Sequence, residues 1–282
     1  MIELNRIYNE DCLEGMKRIP DASVDCIICD LPYEVLNKGN KHAQWDRIIP
    51  FEPLWEQYER IIKDNGAIVL FAQGMFTAKL MMSNEKLWRY NLIWKKGNRS
   101  SGFLNANKMP LRNHEDMVVF YKKTPTYNPQ MVYGAKSHHR SGGQSVTNRC
   151  YGDIKVLPTV YSNEKFPISI IDVDKEHVTG QFFHPTQKPV ALIEYLIKTY
   201  TNEGETVLDF TAGSMSTVVA CINTKRNCIA IEKDEHYFNV GCERVHNHIL
   251  DNNIDLCYNQ VCGGVVLWQN SKTEQAKDMD GF

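Results

Sequence analysis

Asp30-Leu31-Pro32-Tyr33 follows the apolar run Val24-Asp25-Cys26-Ile27-Ile28-Cys29, so a carboxylate, a rigid turn and an aromatic ring leave the end of an expected strand together. Those groups can grip a flat base that carries an exocyclic amine. Such an amine is a poor nucleophile, because its lone pair is delocalised into the ring. A carboxylate and a neighbouring carbonyl that accept its two N–H hydrogens favour a tetrahedral nitrogen with an aimed lone pair. Asp30 supplies the carboxylate, and the backbone C=O of Leu31 the second acceptor, since Pro32 fixes the turn. Tyr33 can stack on a base once it has left its duplex. None of the 11 prolines is followed by cysteine, so the Pro-Cys nucleophile of carbon-5 cytosine chemistry is missing. An Asp that merely caps the next segment would give the same tetrapeptide, and only its conjunction with other features separates the two readings.

A second arrangement runs from Thr206 to Thr217: an apolar strand ending in Asp209, the small-residue turn Phe210-Thr211-Ala212-Gly213-Ser214, then a helix. A turn of this kind lets backbone approach a ligand and aims helix N-terminal N–H groups at its polar atoms. Glu232 closes the next apolar run, Cys228 to Ile231, where an acidic side chain can accept hydrogen bonds from both hydroxyls of a ribose. The pattern GxGxxG is absent, and a single Gly beside small residues suits a nucleotide-like cofactor without a pyrophosphate. Taken alone, a Gly-Ser turn before a helix is often only a tight turn.

The elements that must position these residues alternate along the chain. Strands are expected at Val24 to Cys29, Ala67 to Ala72, Tyr90 to Trp94, Met117 to Tyr121, Thr206 to Phe210 and Cys228 to Ile231. Helical spacing appears at Leu54, Trp55, Tyr58, Ile61 and Ile62, and again at Leu192, Ile193, Leu196, Ile197 and Tyr200, with Pro189 at the first turn of the latter and Gly204 beyond its end. An α/β fold with a mostly parallel sheet flanked by helices follows. The stretch 122–180 breaks the rhythm with Pro125, Pro129, Pro158, Pro167 and Ser141-Gly142-Gly143-Gln144-Ser145, and reads as an inserted recognition segment. From Asp251 the pattern weakens, and Asn270 to Phe282 is polar enough for a disordered tail. No internal repeat is visible.

Composition narrows the class. The 282 residues can form one elaborated domain or one domain with an insertion. No apolar run approaches the roughly 20 residues that span a bilayer, and the first residues lack a signal-peptide core, so a cytoplasmic address is expected. Nine cysteines include one CxxC, Cys26 and Cys29, whose thiols on a strand point to opposite faces. With no second pair to complete a tetrahedral site, buried free thiols are expected and no metal. Net charge is −2, but from Lys86 to Lys165 there are 14 basic residues against four acidic, or +10, leaving −12 for the remainder. Such a basic block, interleaved with Tyr121, Tyr127, Tyr133, Tyr151 and Tyr161, suits a polyphosphate partner, although a solvated basic face would have the same composition.

Over about residues 1 to 250 the chain resembles the amino-methyltransferases that modify adenine N6 or cytosine N4 in DNA, in the circular order with the catalytic motif first and the cofactor motif last. Asn9-Glu10-Asp11-Cys12-Leu13 resembles the family's opening segment, whose acidic residue meets the cofactor adenine. Asp30-Leu31-Pro32-Tyr33 resembles the DPPY tetrad, with Leu in second place. His184-Pro185-Thr186-Gln187-Lys188-Pro189 is similar to the HPTQKP signature beside the cofactor's methionine part. The resemblance implies a Rossmann-like, doubly wound methyltransferase fold. Its domains would be a catalytic half at 1–121, a target-recognition insertion at 122–180, a cofactor half at 181–250 and an extension at 251–282. It implies S-adenosylmethionine as cofactor, held by Asp11, His184, Lys188, Asp209, Thr211, Gly213, Ser214 and Glu232, and double-stranded DNA as partner. Asp30, Leu31, Pro32 and Tyr33 are the implied catalytic residues. A cognate restriction enzyme and pairing of two copies stay open, because no residue pattern bears on either.

His114, before Glu115 and Asp116, resembles the family's HE element and is read as structural rather than catalytic. His138-His139 lacks further ligand spacing and reads as a DNA-contacting or solvated pair. The chain departs from the family where Gly-Ser-Gly becomes Gly213-Ser214-Met215: the Met either crowds the cofactor or points into a helix interface. Acid at the tetrad's first position favours adenine, since the cytosine-N4 relatives more often carry Ser there. The alternatives are cytosine-N4 methylation, a catalytically decayed DNA-binding relative that Met215 would support, an RNA methyltransferase, and a small-molecule methyltransferase that would not need the basic block.

Overall fold

The structure, a computed structural model, describes residues 2–35, 45–139, 161–175, 187–261 and 264–269. His184 lies outside the described residues, as do 140–160 and 176–180 of the expected insertion and the tail from Asn270 to Phe282. The chain forms two compact units, one from Met1–Asn128 and Ser169–Phe282, the other from Pro129–Ile168.

In chain order the elements are β1 (Arg6–Asn9), α1 (Cys12–Met16), β2 (Val24–Asp30), α2 (Phe51–Ile61), β3 (Ile62–Ala72), α3 (Met75–Ser83), β4 (Trp88–Lys95), β5 (His114–Phe120), β6 (Val132–His139), β7 (Tyr161–Lys165), β8 (Ile170–Asp172), α4 (Val190–Tyr200), β9 (Thr206–Asp209), α5 (Ser216–Thr224), β10 (Asn227–Glu232), α6 (Glu235–Asp251), β11 (Leu256–Val261) and β12 (Gly264–Gln269). β6 and β7 pair antiparallel within the smaller unit. The larger unit carries a ten-stranded sheet in the order β11-β12-β1-β10-β9-β2-β3-β5-β4-β8. Its centre, β1-β10-β9-β2-β3, is wholly parallel. No helix among the described residues is long and apolar enough to cross a membrane.

The central strands are apolar at nearly every position because both faces are covered. On one face Cys26, Ile28, Val207 and Ala230 pack with Leu192 and Leu196 of α4, Val218 of α5 and Val245 of α6. On the other, Ile27, Cys29, Leu208 and Ile229 meet Met16 of α1, Leu54 and Tyr58 of α2, and Leu80 of α3. Cys26 and Cys29 thus sit in opposite cores, and burial pushes both thiols well above their ordinary pKa.

The six expected strands coincide with β2, β3, β4, β5, β9 and β10, except that Tyr121 and Phe210 lie one residue past β5 and β9, and the two helical patterns coincide with α2 and α4, except that Ile62 already opens β3. The weakening pattern after Asp251 does not end the fold, because β11 and β12 add an antiparallel hairpin beside β1. From β2 the chain steps across α2 to β3. From β9 it steps across α5, on the opposite face, to β10 on the other side. The winding reverses between β2 and β9, and in open parallel sheets that reversal opens a crevice at the carboxyl ends of the strands.

Candidate active site

Asp30 is the last residue of β2 and Asp209 the last of β9, and the two strands are neighbours with Cys26 beside Val207 and Ile27 beside Leu208. The sheet therefore delivers both sequence motifs to one place. The Thr211 hydroxyl donates to the Asp30 carbonyl at 3.1 Å, which ties the two turns directly. Above them lies a cavity of about 870 Å³. Asp30, Leu31, Pro32 and Tyr33 line one part of it, and Asp11, Asp209, Thr211, Gly213, Ser214 and Glu232 another.

The cofactor turn is shaped by hydrogen bonds from nearby residues. Asp209 accepts the Thr217 hydroxyl at 2.6 Å and the Thr211 N–H at 3.1 Å, and burial pushes its pKa up to about 6. The Gly213 N–H donates to Glu232 Oε2 at 2.8 Å, and the Asp234 N–H to Oε1 at 2.8 Å. Burial raises the Glu232 pKa, with those amides opposing it. Each Glu232 oxygen keeps a lone pair, so the carboxylate can still accept two hydroxyl hydrogens. Asp11 caps α1 through the Leu13 N–H at 2.9 Å and faces Lys233 at 3.0 Å. Burial pushes its pKa up, but Lys233 and the amide outweigh this and hold it below the ordinary value. Anchored acids, a close-approach Gly at φ +50° and a cavity in the usual ligand size range make a set that fits an adenosine-bearing cofactor.

Met215 has φ +61° and is fully buried among the residues packed with α4, α5 and α6. A Cβ built at Gly241 of α6 would lie 2.5 Å from Met215 Cγ, so the absent Gly241 side chain makes room for the Met. Met215 is not part of the cavity wall. Of its two expected directions the structure shows the helix interface. The positive φ explains why the family prefers Gly here.

At the other end, the Tyr33 hydroxyl donates to Asp30 Oδ1 at 2.6 Å, and its ring lies 5.0 Å from Phe76. Asp46, almost fully buried, accepts the N–H groups of Tyr33, Glu34 and Val35 at 2.8, 2.9 and 2.7 Å, and so fixes the backbone that follows the tetrad. Lys188 ion-pairs with Asp30 Oδ2 and lies 3.3 Å from Glu115 Oε2, while Lys96 donates to Glu115 Oε1 at 2.5 Å. The result is an alternating row of Asp30, Lys188, Glu115 and Lys96 on the cavity wall. Burial pulls the Lys188 pKa down, but the two carboxylates outweigh it and hold it above the ordinary value. Burial pushes Glu115 up, but Lys188 and Lys96 outweigh it and hold it low. For Asp30 burial wins: its pKa is raised, with Lys188 opposing and Glu115 adding to the rise. Lys175 also lines the cavity, its pKa lowered by burial and by Lys96.

Asp30, Leu31, Pro32 and Tyr33 line this cavity, as do Asp11, Lys188, Asp209, Thr211, Gly213, Ser214 and Glu232 of the implied cofactor set, whose remaining member His184 lies outside the described residues. Lys188, expected beside the cofactor's methionine part, lines the cavity and is engaged with Asp30 and Glu115. His114 is exposed at the start of β5 rather than packed as a structural histidine, and it is the next residue, Glu115, that faces the site. Asp46, Lys96 and Glu115 also line the cavity, from positions that carry little signal in the sequence. The only signal for Glu115 was its place after His114, and an isolated Asp or Lys carries none.

The family model for N6/N4 methyltransferases, described as DNA methylase, matches residues 24–243. The DNA adenine methyltransferase YhdJ of Escherichia coli strain K12 is 26% identical over 258 residues, covering 86% of this chain and 83% of the relative. Among solved structures, the M1.HpyAVI–SAM complex is similar with a TM-score of 0.56 and 23% identity, covering 85% of this chain and 98% of that one. The PvuII DNA methyltransferase (cytosine-N4-specific) matches with a TM-score of 0.60 and 18% identity, covering 88% and 87%. At these identities the two structures speak to the fold, the doubly wound sheet described above. With the family match running from β2 into α6, across both ends of the cavity, the chain belongs to the N6/N4 DNA methylase family.

Proposed function

We propose that this protein transfers the methyl group of S-adenosylmethionine to the N6 amine of an adenine flipped out of double-stranded DNA. The observation that carries the reading is the Thr211–Asp30 hydrogen bond, which seats the tetrad and the cofactor turn side by side on one cavity. Bound S-adenosylmethionine would supply an electrophilic methyl on a sulfonium. Glu232 and Asp11 would hold its adenosine part, and the Gly213-Ser214 backbone would lie against it. Asp30 and the Leu31 carbonyl accept the two N–H hydrogens of the amine, leaving its lone pair free toward the cofactor end. Tyr33, held by its hydroxyl on Asp30 and its backbone on Asp46, offers a ring for stacking. When the nitrogen gains the methyl group it must lose a proton, and Asp30, with its raised pKa, is placed to receive it. Lys188 is a positioning residue that holds Asp30. The smaller unit and the stretch 122–180 around it read the target sequence.

Adenine is favoured by the acid at the tetrad's first position and by the relative named an adenine methyltransferase. Cytosine N4 is the second reading, since the matching family model covers N6 and N4 methylases alike. The decayed-relative reading loses its support, because Met215 points away from the cavity. Incubation with duplex DNA and S-adenosylmethionine, followed by mass spectrometry of the nucleosides, tests this: N6-methyladenine is expected. N4-methylcytosine would transfer the mechanism to the second base, and DNA binding without any methylated nucleoside would end the enzymatic reading.

A further inference from the structure

We propose that the turn at residues 102–111 is a wedge that enters the DNA beside the target and occupies the space left by the extruded nucleotide. The inference rests on the DNA-methylating reading of the cavity and adds the surface that opens its substrate.

The turn belongs to the connection between β4 and β5, and its base is part of the cavity wall, since Lys96 and Ser101 both line it. The Lys96 N–H donates to the Asn113 carbonyl at 2.8 Å. Ser101 and Arg112 exchange backbone hydrogen bonds at 2.7 and 3.1 Å, so the two arms are clipped together where they leave the site. Beyond the clip the chain makes an ordered knob: Gly102 at φ +89° opens a 3₁₀ turn over Phe103–Asn105, and Asn105 and Met109 donate to the Gly102 and Asn105 carbonyls at 2.9 and 3.0 Å. On that knob Phe103, Leu104, Met109 and Leu111 are 77%, 80%, 57% and 44% exposed. Four large apolar side chains held outward on a hydrogen-bonded scaffold are a patch that calls for a partner.

Charge selects the partner. Residues 97–113 carry Arg99, Lys108 and Arg112 and no Asp or Glu. A second copy of this chain placing the same knob against it would set those cations against one another. Duplex DNA matches both features, with phosphates for the cations and a base step into which Phe103 and Leu104 can insert. Extruding a base leaves its neighbours unstacked, and apolar side chains that fill the gap lower the cost.

The test uses an oligonucleotide duplex bearing the sequence that the wild-type protein methylates, once with the target paired and once with it opposite an abasic site. The double variant Phe103→Ser, Leu104→Ser changes only exposed side chains. It should lose about ten- to a hundredfold in kcat/KM on the paired duplex and recover to within a few-fold of wild type opposite the abasic site, where extrusion costs less. Equal loss on both duplexes, or no loss on the paired one, would overturn the wedge. So would a change in oligomeric state by analytical ultracentrifugation, which would give the patch to a second copy. A wild-type protein that methylates no DNA at all would instead remove the underlying reading of the site, so the two failures are told apart.

Discussion

The two ends of the cavity are built by different means. The cofactor turn is held mainly by its own strand, its own helix and the next strand: Asp209 reaches Thr211 and Thr217, and Glu232 reaches Gly213. The base end is held from afar, because Asp30 depends on Lys188, Lys188 on Glu115, and Glu115 on Lys96, contributed by β2, the approach to α4, β5 and the end of β4. Locally built geometry is robust to substitution elsewhere. A row of buried charges is not, since removing one partner strands the next, at a cost of about 3–5 kcal/mol.

The largest effect should come where the row meets the substrate. Asp30→Ala should lower methyl transfer by about 10³-fold, the scale of losing one preorganised charge-bearing group, with DNA affinity nearly intact by fluorescence anisotropy. Methylation that persists in this variant would break the assignment of Asp30. Lys188 and Glu115 sharpen the comparison through pH. Asp30 must be ionised to accept the amine, so kcat/KM falls on the acid side as pH drops through its raised pKa. Lys188 lowers that pKa and Glu115 raises it. Lys188→Met should therefore move the acid limb to higher pH, and Glu115→Gln to lower pH. Limbs that move together, or not at all, would mean that the row is merely structural.

This contrast also explains what the sequence disclosed. The Gly213 turn and Glu232 were legible because their partners lie within one βαβ unit, where spacing stands in for distance. The strands β2, β3, β9 and β10 were legible because burial on both faces demands continuous apolar runs. Glu115 and Lys96 were not, because their meaning comes from the antiparallel pairing of β4 and β5, which sets Lys95 beside His114 and brings their neighbours to the cavity. Asp46 was hidden for the same reason: its three backbone partners lie on the other side of an intervening segment. β1 has only two buried residues in four, too short a pattern to announce a strand that is nevertheless paired on both sides.

Within the cofactor turn a further prediction concerns stability. The Asp209 carboxyl titrates near 3.8 when unfolded and is pushed up to about 6 by burial in the fold. Between those values the folded state holds more protons than the unfolded one, so this group makes stability fall as pH rises through that window. Above it the full penalty of about 3 kcal/mol applies. Asp209→Asn keeps an oxygen for the Thr211 N–H, and the Thr217 hydroxyl can turn to accept from the new amide. Urea unfolding should find the variant more stable than wild type at pH 7 by up to about that amount, with the advantage shrinking to about 0.5 kcal/mol by pH 4. An unchanged gap across this range would show that Asp209 is not buried as described.

The smallest expected effect is on cofactor binding at Met215, and it tests whether the local end is as self-contained as its hydrogen bonds suggest. Met215→Gly relieves a left-handed residue, worth about 1 kcal/mol. It also empties the space beside Gly241, where losing a buried side chain of this size costs about 2–5 kcal/mol. Urea unfolding should therefore show a net loss of about 2 kcal/mol. Because the Met side chain runs into the α5–α6 interface and not the cavity, S-adenosylmethionine affinity by calorimetry should stay within about twofold of wild type, as for sites that share no partner. Tighter binding by tenfold or more would mean that Met215 does crowd the cofactor. The departure from Gly-Ser-Gly would then act on the ligand rather than on the core.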